Sequence, residues 1–524
     1  MTLKKLQIKG LRSLENTGEI ELKPITILLG QNSSGKSTYL RSLPLIKQSL
    51  ESKNNEPLLW YGDLVDFGSY DESICVAAKD QGIGFKLEIE KKETQKIFSK
   101  INATKLSIEI QIDKFTEEQE SLQKTNAPLP SQSTTTYLII DLFDNKIRLE
   151  FSKTLQIFTE VKINGADFTE LTNKSYLLID QENLIPGLIE RSITNEKNAE
   201  RLGTDLVLGT AKTIFATFLD EIRNSNSPLK TVPSNRLADF FSIESDKEIL
   251  DTLTKLRQGQ QLFKNILSTW TTETAKFKEF KNLLVFSQLD AVIDFVKQTL
   301  SDEFRNFSYI SPVRASAQRY YRQQAAADNL GAKGENFAYF LKSLKGNNEI
   351  AFKNWLSDKL GISITTNESF GHISIYLTNI DDASRKVNLA DTGFGYSQLL
   401  PIAALIWQTK NSIYNEGNPL SPIQTIAIEQ PELHLHPKIQ SKIADLLISD
   451  EMNIKPATIL IETHSEPFIN RIGELIECGK IKKDDVSIIL FDKENFDDST
   501  KISFTEFNSS GYLTNWPVGF FNSK

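Results

Sequence analysis

The sequence predicts an α/β protein, in which a mixed sheet carries a phosphate-binding loop and is joined by an antiparallel β lobe and an inserted helical domain. Three observations predict this fold class. An apolar strand leads directly into GQNSSGKST at residues 30–38, and helix-forming residues follow. Two later apolar strands, residues 423–428 and 457–461, each lead into a glutamate. Between these parts, apolar residues alternate with a period of two over 83–180 and with a helical period from about 186 to 304.

The composition is that of a globular protein with several domains or one domain with large insertions. The chain has 524 residues, of which 39% are hydrophobic and 24% charged. No apolar run approaches the ~20 residues of a membrane span, and the N-terminus lacks a signal-peptide core, so we expect a cytoplasmic protein without a membrane partner. The net charge of −8 argues against a broad nucleic-acid binder. The two cysteines, Cys75 and Cys478, are too few for a disulfide framework, and we expect buried thiols.

The residue types of the loop at 30–38 are those that bind phosphate. Glycines let backbone N–H groups crowd around the phosphates, Lys36 reaches the β and γ oxygens, and the Ser37 hydroxyl can ligate Mg²⁺. The helix that follows directs the positive end of its dipole at the anion. We therefore predict ATP and Mg²⁺ as cofactors. The predicted binding residues of the loop are Gly30, Gln31, Asn32, Ser33, Ser34, Gly35, Lys36, Ser37 and Thr38.

Two acidic strand ends identify a family resemblance. Residues 429–437 read EQPELHLHP, and residues 462–466 read ETHSE. With the phosphate loop, these motifs in this order resemble the OLD-like branch (overcoming lysogenisation defect) of the SMC/RecF/ABC-type ATPases, whose usual pattern is DEPE-L-H-L-H-P followed by T-H-S. The resemblance covers roughly residues 1–80 and 305–524. It implies an ABC/SMC-like ATPase head whose two halves are brought together across a long insertion.

The resemblance and the periodicity together divide the chain into three parts. Residues 1–185 are predicted to form the N-terminal half of the head with the phosphate loop and the antiparallel β lobe. Residues 186–304 are predicted to form an inserted helical domain for dimerisation or partner binding. Because this segment shows no sustained heptads, we expect a compact bundle and not a coiled-coil arm. Residues 305–524 are predicted to form the C-terminal half, with a signature segment, the acidic strand and a switch histidine.

The signature segment is predicted at residues 391–400, DTGFGYSQLL. In ABC-type heads, the corresponding loop contacts the γ-phosphate held by the other protomer of a sandwich dimer. Gly393 and Gly395 would let backbone amides approach that phosphate. The serine of the usual signature falls on Gly395 here, so Thr392 or Ser397 would have to supply its hydroxyl. The resemblance thus implies Gly393, Gly395 and Ser397 as further nucleotide-binding residues and a dimer around ATP, alone or within a higher oligomer.

The acidic strand departs from the family pattern. In relatives, a first carboxylate holds the Mg²⁺ shell and a second polarises the attacking water; here these positions are Glu429 and Gln430. The resemblance implies Ser37 and Glu429 as metal ligands. A glutamine amide cannot accept a proton, so either Glu432 serves as the base or hydrolysis is slow and the ATP-bound state is long-lived. His464 stands where relatives have a switch histidine, so Gln430, Glu432 and His464 are the candidate catalytic residues.

The predicted function is ATP binding and slow hydrolysis by a dimerising head that controls a separate effector protein. Similarity to ATPase subunits of bacterial anti-phage systems (Septu-type, retron-associated and abortive-infection modules) implies a nuclease or toxin as that effector, and we expect no second active site after Glu466. Two alternatives stay open: a RecF-like DNA-repair ATPase that acts directly on DNA, and a degenerate scaffold that binds ATP structurally. Nucleic acid is thus a further candidate partner. The segment 307–336 places basic residues among aromatic ones, which fits either a ligand surface or a solvated loop: Arg314, Arg319, Arg322 and Lys333.

Overall fold

The fold was analysed in a computed structural model. It describes residues 2–52, 56–90, 101, 103–115, 133–153, 155–193, 208–222, 234–260, 270–322, 330–380, 385–410, 414–415, 418–419, 425–448, 457–495 and 498–515. Three aromatic residues that the sequence predicts to cap the sheet, Trp516, Phe520 and Phe521, lie outside these ranges. The polar stretch 116–136, which the sequence predicts to be a hairpin or loop, lies outside these ranges over 116–132, and its last four residues, 133–136, are strand in the structure.

The described strands are short to medium in length and occur in every part of the chain. In chain order they are β1 Thr2–Leu11, β2 Leu14–Asn16, β3 Ile20–Glu21, β4 Ile25–Gly30, β5 Ile83–Glu90, β6 Lys105–Lys114, β7 Ser133–Leu142, β8 Asn145–Phe151, β9 Phe158–Ile163, β10 Ala166–Asp167, β11 Tyr176–Ile179, β12 Gly187–Glu190, β13 Ser192–Ile193, β14 Leu208–Gly209, β15 Phe307–Ile310, β16 Tyr321–Arg322, β17 Ile362–Ser369, β18 His372–Asn379, β19 Lys386–Asn388, β20 Tyr414–Asn415, β21 Asn418–Pro419, β22 Thr425–Glu429, β23 Thr458–Glu462, β24 Val486–Asp492, β25 Lys501–Phe507 and β26 Leu513–Thr514.

Most of the described helices lie after residue 200. They are α1 Lys36–Glu51, α2 Tyr70–Ser73, α3 Thr169–Ser175, α4 Thr210–Ile222, α5 Ser234–Ala238, α6 Asp246–Gln260, α7 Ala275–Ser287, α8 Leu289–Arg305, α9 Phe337–Ser343, α10 Asn347–Leu360, α11 Phe394–Lys410, α12 Pro437–Leu446 and α13 Glu466–Glu477, with 3₁₀ turns at Val76–Ala78, Leu389–Asp391 and Lys483–Asp485. Among the helices in the described ranges, none is long and apolar enough to cross a membrane.

The sheet that carries the phosphate loop has seven strands in the order β15-β22-β23-β4-β24-β25-β26. Its first five strands are mutually parallel, and β25 and β26 continue it antiparallel. All residues of β4, β22 and β23 are buried. Strands of a parallel sheet covered on both faces read as continuous apolar runs, which is why these segments lack the alternation seen elsewhere.

A second sheet is antiparallel and has nine strands, in the order β10-β9-β8-β7-β6-β5-β1-β2, with β3 paired to β1. Its strands alternate buried and partly exposed residues, as in the Phe85-to-Glu90 part of β5. One face of the sheet belongs to the large apolar core that also receives α1 and α8. This sheet is the predicted antiparallel β lobe, and it also includes the first strands of the chain.

Within the region 186–304, the helical pattern of residues 283–300 corresponds to two helices in the structure, because the chain turns at Gln288 between α7 and α8. Helices α4 to α7 share a small apolar core of their own, in which Phe215, Phe241 and Phe280 make edge-to-face contacts. Helix α8 instead packs into the main core.

The predicted fold class is confirmed: a mixed phosphate-loop sheet, an antiparallel β lobe and a helical insertion between the two halves of the head. The prediction of two buried thiols is wrong for Cys478, which is exposed, whereas Cys75 is buried. Cys478 is the C-cap residue that directly follows α13.

Candidate functional site

The phosphate loop connects the end of β4 to the start of α1, and its glycines are required by close contacts. Gly35 has φ +97°, and a Cβ there would lie 2.8 Å from both Ser13 Oγ and Thr500 Oγ1. At Gly30, a Cβ would lie 2.1 Å from the carbonyl oxygen of Phe491. Larger residues would therefore push the loop away from the strands that hold it.

A cavity of about 680 Å³ opens above this loop. The loop and the start of α1 contribute its floor: Asn32, Ser33, Ser34, Gly35, Lys36, Ser37 and Thr38. Other segments complete the described lining: Arg12, Ser13, Cys75, Val76, Ala77, Gln430, Glu462, His464, Lys493, Asp498 and Ser499.

The floor of the cavity fits an anion. Lys36 is buried, and its Nζ donates to the carbonyl oxygens of Gly30 at 3.0 Å and Gln31 at 2.5 Å. Burial lowers the pKa of Lys36, and the charges of Glu462 and Glu432 act against this shift. Ser34 Oγ is buried without a hydrogen-bond partner among the described residues. A bound phosphate would supply an acceptor for Ser34 Oγ and for the third proton of Lys36 Nζ.

Ser37, a predicted Mg²⁺ ligand, contacts a carboxylate that the sequence analysis gave no role. Its Oγ donates to Glu462 Oε1 at 2.7 Å. Glu462 is the last residue of β23 and is only 1% exposed. Burial raises the pKa of Glu462 to about 7, and the negative charge of Glu429 adds to this shift.

Glu429, the other predicted metal ligand, lies one strand further from the phosphate loop and is hydrogen-bonded away from the cavity. Its Oε1 accepts from Arg41 Nε at 2.7 Å and from Tyr309 Oη at 2.8 Å, and its Oε2 accepts from Arg41 Nη2 at 2.7 Å. The hydrogen bond to Glu429 raises the pKa of Arg41. The structure thus pairs Glu429 with Arg41 and does not bring it to Ser37.

Gln430 and Glu432 follow β22 but face different surroundings. Gln430 lines the cavity, has φ +39°, and its backbone N–H donates to the carbonyl oxygen of Glu462 at 2.8 Å. Glu432 does not belong to the described lining. Its carboxylate accepts from Thr463 Oγ1 at 2.8 Å and from the backbone N–H of His464 at 2.7 Å. Burial raises the pKa of Glu432, while these hydrogen bonds act in the opposite direction.

His464 lines the cavity, and its Nε2 is buried without a hydrogen-bond partner among the described residues. Burial lowers the pKa of His464, and the nearby charge of Lys36 lowers it further. The imidazole is therefore neutral at pH 7, with one ring nitrogen available to a phosphate oxygen or a water molecule.

The predicted signature segment does not reach this cavity within its own chain, because no residue of 391–398 belongs to the described lining. Helix α11 begins inside the segment, so Gly395 lies in its first turn and Ser397 is buried. Thr392 Oγ1 donates to the carbonyl oxygen of Leu389 at 2.7 Å. Gly393 is exposed and has φ +76°.

The basic residues of segment 307–336 do not form one surface. Arg314 is buried, and its Nη2 donates to the carbonyl oxygen of Glu429 at 2.8 Å, which supports the end of β22. Arg319 forms an ion pair with Asp391 in the signature segment. The sequence analysis missed Arg41, Glu462 and the cavity wall near Arg12, although a glutamate that ends a buried strand was a signal available for Glu462.

The family follows from a match to a family model. Residues 1–469 match the model described as AAA ATPase domain. The chain belongs to this family. It is accordingly an ATPase that binds a nucleotide, as the phosphate loop indicates.

Three solved SMC structures align with this AAA ATPase over nearly its whole length. The Smc head bound to the C-winged helix domain of ScpA is 10% identical, with 97% of this chain and 98% of that chain covered and a TM-score of 0.37. The Smc head with an extended coiled coil, bound to the C-terminal domain of ScpA derived from Pyrococcus furiosus, is 12% identical, with 96% of each chain covered and a TM-score of 0.34. The SMC head domain from Thermotoga maritima is 11% identical, with 96% and 99% covered and a TM-score of 0.34. No curated protein matches the chain in sequence.

Proposed function

We propose that this AAA ATPase binds ATP together with Mg²⁺ and hydrolyses it slowly. The observation that supports this most strongly is the composition of the cavity. Lys36 and Ser37 line the cavity on the side of the phosphate loop, and the cavity residue that follows the acidic strand is Gln430. Its amide can orient a water molecule but cannot take a proton from it.

The two nearby glutamates are already engaged. Glu432 is turned toward Thr463 and the backbone of His464, and Glu462 is hydrogen-bonded to Ser37. In this arrangement, Lys36 would bind β and γ oxygens, Gln430 would position water, and neutral His464 would contact the γ-phosphate. Mg²⁺, when bound, would neutralise phosphate charge. We expect turnover below the median enzyme rate of ~10 s⁻¹.

We further propose that two chains dimerise around ATP, alone or within a higher oligomer. The exposed Gly393 and the helix start at Gly395 carry backbone N–H groups suited to a phosphate. Because these residues lie outside the cavity of their own chain, the nucleotide they would contact belongs to a second copy.

The biological role that we propose is control of a separate nuclease or toxin effector in bacterial anti-phage defence. The order of the three motifs supports it, through the resemblance to ATPase subunits of such systems. We propose residues 1–185 and 305–524 as the two halves of the head, and residues 186–304 as the domain for dimerisation or effector binding. The separate apolar core of helices α4 to α7 supports a unit of its own there.

Calorimetry tests the nucleotide site. Lys36→Ala removes the buried cation of the loop, so ATP affinity in Mg²⁺ should fall by about 2–3 kcal/mol, roughly 30- to 150-fold. Lys79→Ala, at an exposed lysine outside the cavity lining, is the matched control and should bind ATP as the wild type does. Unchanged affinity of a folded Lys36→Ala protein would refute the site.

Light scattering tests the dimer. ATP with Mg²⁺ should double the molecular mass of the wild-type particle, whether the particle without nucleotide is a monomer or a larger oligomer. Gly395→Arg should prevent this doubling and leave ATP binding intact. An ATP-bound structure with residues 391–398 remote from every phosphate would exclude the sandwich arrangement.

A phage plating assay tests the biological role. Cells that express the chain with its neighbouring genes should lose protection when Lys36→Ala is introduced, and a nuclease or toxin should co-purify with the wild type. Steeply salt-dependent DNA binding by the isolated chain, without any effector, would instead support the DNA-repair alternative.

A further inference from the structure

We propose that the divalent cation bound with ATP takes its protein carboxylate from Glu462, and that Glu429 serves as the partner of Arg41. The inference rests on the proposed binding of ATP with Mg²⁺. It assigns the cation to a different strand from the one that the sequence pattern indicates.

Sheet order favours Glu462. Strand β23 pairs directly with β4, which leads into the phosphate loop, whereas β22 pairs only with β23 on that side. In register, Glu429 lies beside Glu462, and Glu462 lies beside Leu28 of β4. Neighbouring strands are about 4.8 Å apart, so Glu429 starts one strand spacing further from the loop than Glu462 does.

The contact with Ser37 has the separation of two ligands of one ion. Mg²⁺ binds oxygen atoms octahedrally at about 2.1 Å, which puts adjacent ligand oxygens about 3 Å apart. Ser37 Oγ and Glu462 Oε1 are 2.7 Å apart. If the two side-chain oxygens moved apart by a few tenths of an ångström, both could bind one cation, and neither strand would have to move.

Glu462 has more coordinating capacity left than Glu429, because Glu462 accepts one hydrogen bond and Glu429 accepts three. Glu462 Oε2 is buried without a hydrogen-bond partner among the described residues, and the side chain lines the cavity. Both oxygens of Glu429 accept hydrogen bonds, from Arg41 and Tyr309, and Glu429 is outside the described lining. Ligation by Glu429 would place the metal cation beside the Arg41 guanidinium, which already binds both oxygens of that carboxylate.

The test separates metal-dependent from metal-independent ATP binding. ATP affinity is measured by calorimetry in excess EDTA and in excess Mg²⁺, and the ratio of the two is the gain from metal. Glu462→Gln should keep its EDTA affinity within about twofold and lose most of the gain, because an amide oxygen is a far weaker Mg²⁺ ligand than a carboxylate. Glu303→Gln, at another buried glutamate outside the cavity lining, is the matched control and should keep the gain.

Glu429→Gln is the competing variant, and we expect it to keep the gain. The inference is overturned if Glu429→Gln loses the gain and Glu462→Gln keeps it. If the wild type binds no ATP in either buffer, the proposed function fails instead, so the two failures are distinguishable.

A measurement on the wild type covers the case in which a variant does not fold. Crystals grown with ADP and Mn²⁺ locate the ion by its anomalous scattering. We expect it within bonding distance of Ser37 Oγ and a Glu462 oxygen. An ion bound to Glu429, with Arg41 displaced, would overturn the inference.

Discussion

The ends of the neighbouring strands β22 and β23 are alike in sequence and different in chemistry. Each strand is a short apolar run that ends in a glutamate, and each glutamate is only 1% exposed. Glu429 meets a guanidinium and a phenol. Glu462 meets a hydroxyl of the phosphate loop and keeps one oxygen unpaired among the described residues.

The comparison shows that burial does not tell what a carboxylate does. A buried charge must be neutralised, and the group that neutralises it determines its role. At Glu429 the neutralising group is part of the protein, so the result is a fixed link between α1 and the sheet. At Glu462 the fixed partner is a neutral hydroxyl, and that end of the sheet remains able to bind a cation.

The largest expected effect comes from removing the partner of Glu429. Arg41→Met leaves that carboxylate buried without its cation, which should lower the free energy of unfolding by about 3 kcal/mol. Urea denaturation measures it. The double variant Arg41→Met with Glu429→Gln should recover most of the loss, since no buried charge remains. A loss below ~1 kcal/mol in the single variant would show that the pair is not needed.

The next effect comes from adding a carboxylate after β22. Gln430→Glu restores a proton acceptor at the edge of the cavity, so steady-state phosphate release should rise about tenfold or more. Gln430→Asn, which keeps an amide, is the control and should show no acceleration. Fast wild-type hydrolysis that collapses in Gln430→Glu would contradict our account of the site.

A smaller effect is expected at the hydrogen bonds that join the two strand ends. Glu432→Gln keeps one acceptor oxygen for Thr463 or for the His464 backbone and loses the other, at a cost of about 1–2 kcal/mol of stability. ATP binding and turnover should change only a few-fold. Abolished turnover with retained binding would instead make Glu432 the base.

The smallest effect concerns Glu303, a third buried glutamate, which accepts from the backbone N–H of Leu3 and from Thr425 Oγ1 at the start of β22. Burial raises the pKa of Glu303 above its ordinary value of 4.5. The folded protein therefore holds this proton at pH values where the unfolded chain has lost it, and stability falls as pH rises from about 4.5 toward the folded pKa.

Glu303→Gln should remove that decline and stabilise the protein near neutral pH by less than ~1 kcal/mol. Thermal melting across pH 4–8 gives the measurement. An identical pH profile in the variant would mean that Glu303 ionises as freely in the folded protein as in the unfolded chain.

Local patterns sufficed to predict the fold class, because the apolar strands and the phosphate-loop motif are each visible in a short stretch of sequence. The continuous apolar runs at β4, β22 and β23 report burial on both faces, and GQNSSGKST reports the loop. The role of Glu462 could not be read in this way. It depends on which strand lies next to β4, and the order of strands in a sheet cannot be read from a short stretch of sequence.

The same limit explains Arg41. It lies on α1, and its partner Glu429 is 388 residues away in sequence. The helix predicted after the phosphate loop correctly includes Arg41, but that motif carries no information about which distant carboxylate faces the helix. The sequence could not predict the cavity wall near Arg12 for the same reason. This wall combines segments that are far apart in sequence, around residues 75–77 and 493–499.

The position of β4 also has a consequence for how the protein is made. Both sheet neighbours of β4, strands β23 and β24, belong to the last part of the chain. At about 5–20 residues per second, a ribosome needs roughly half a minute to a minute and a half to deliver them after β4 has emerged. The phosphate loop therefore lacks both sheet neighbours of β4 until residues 458–492 have been made.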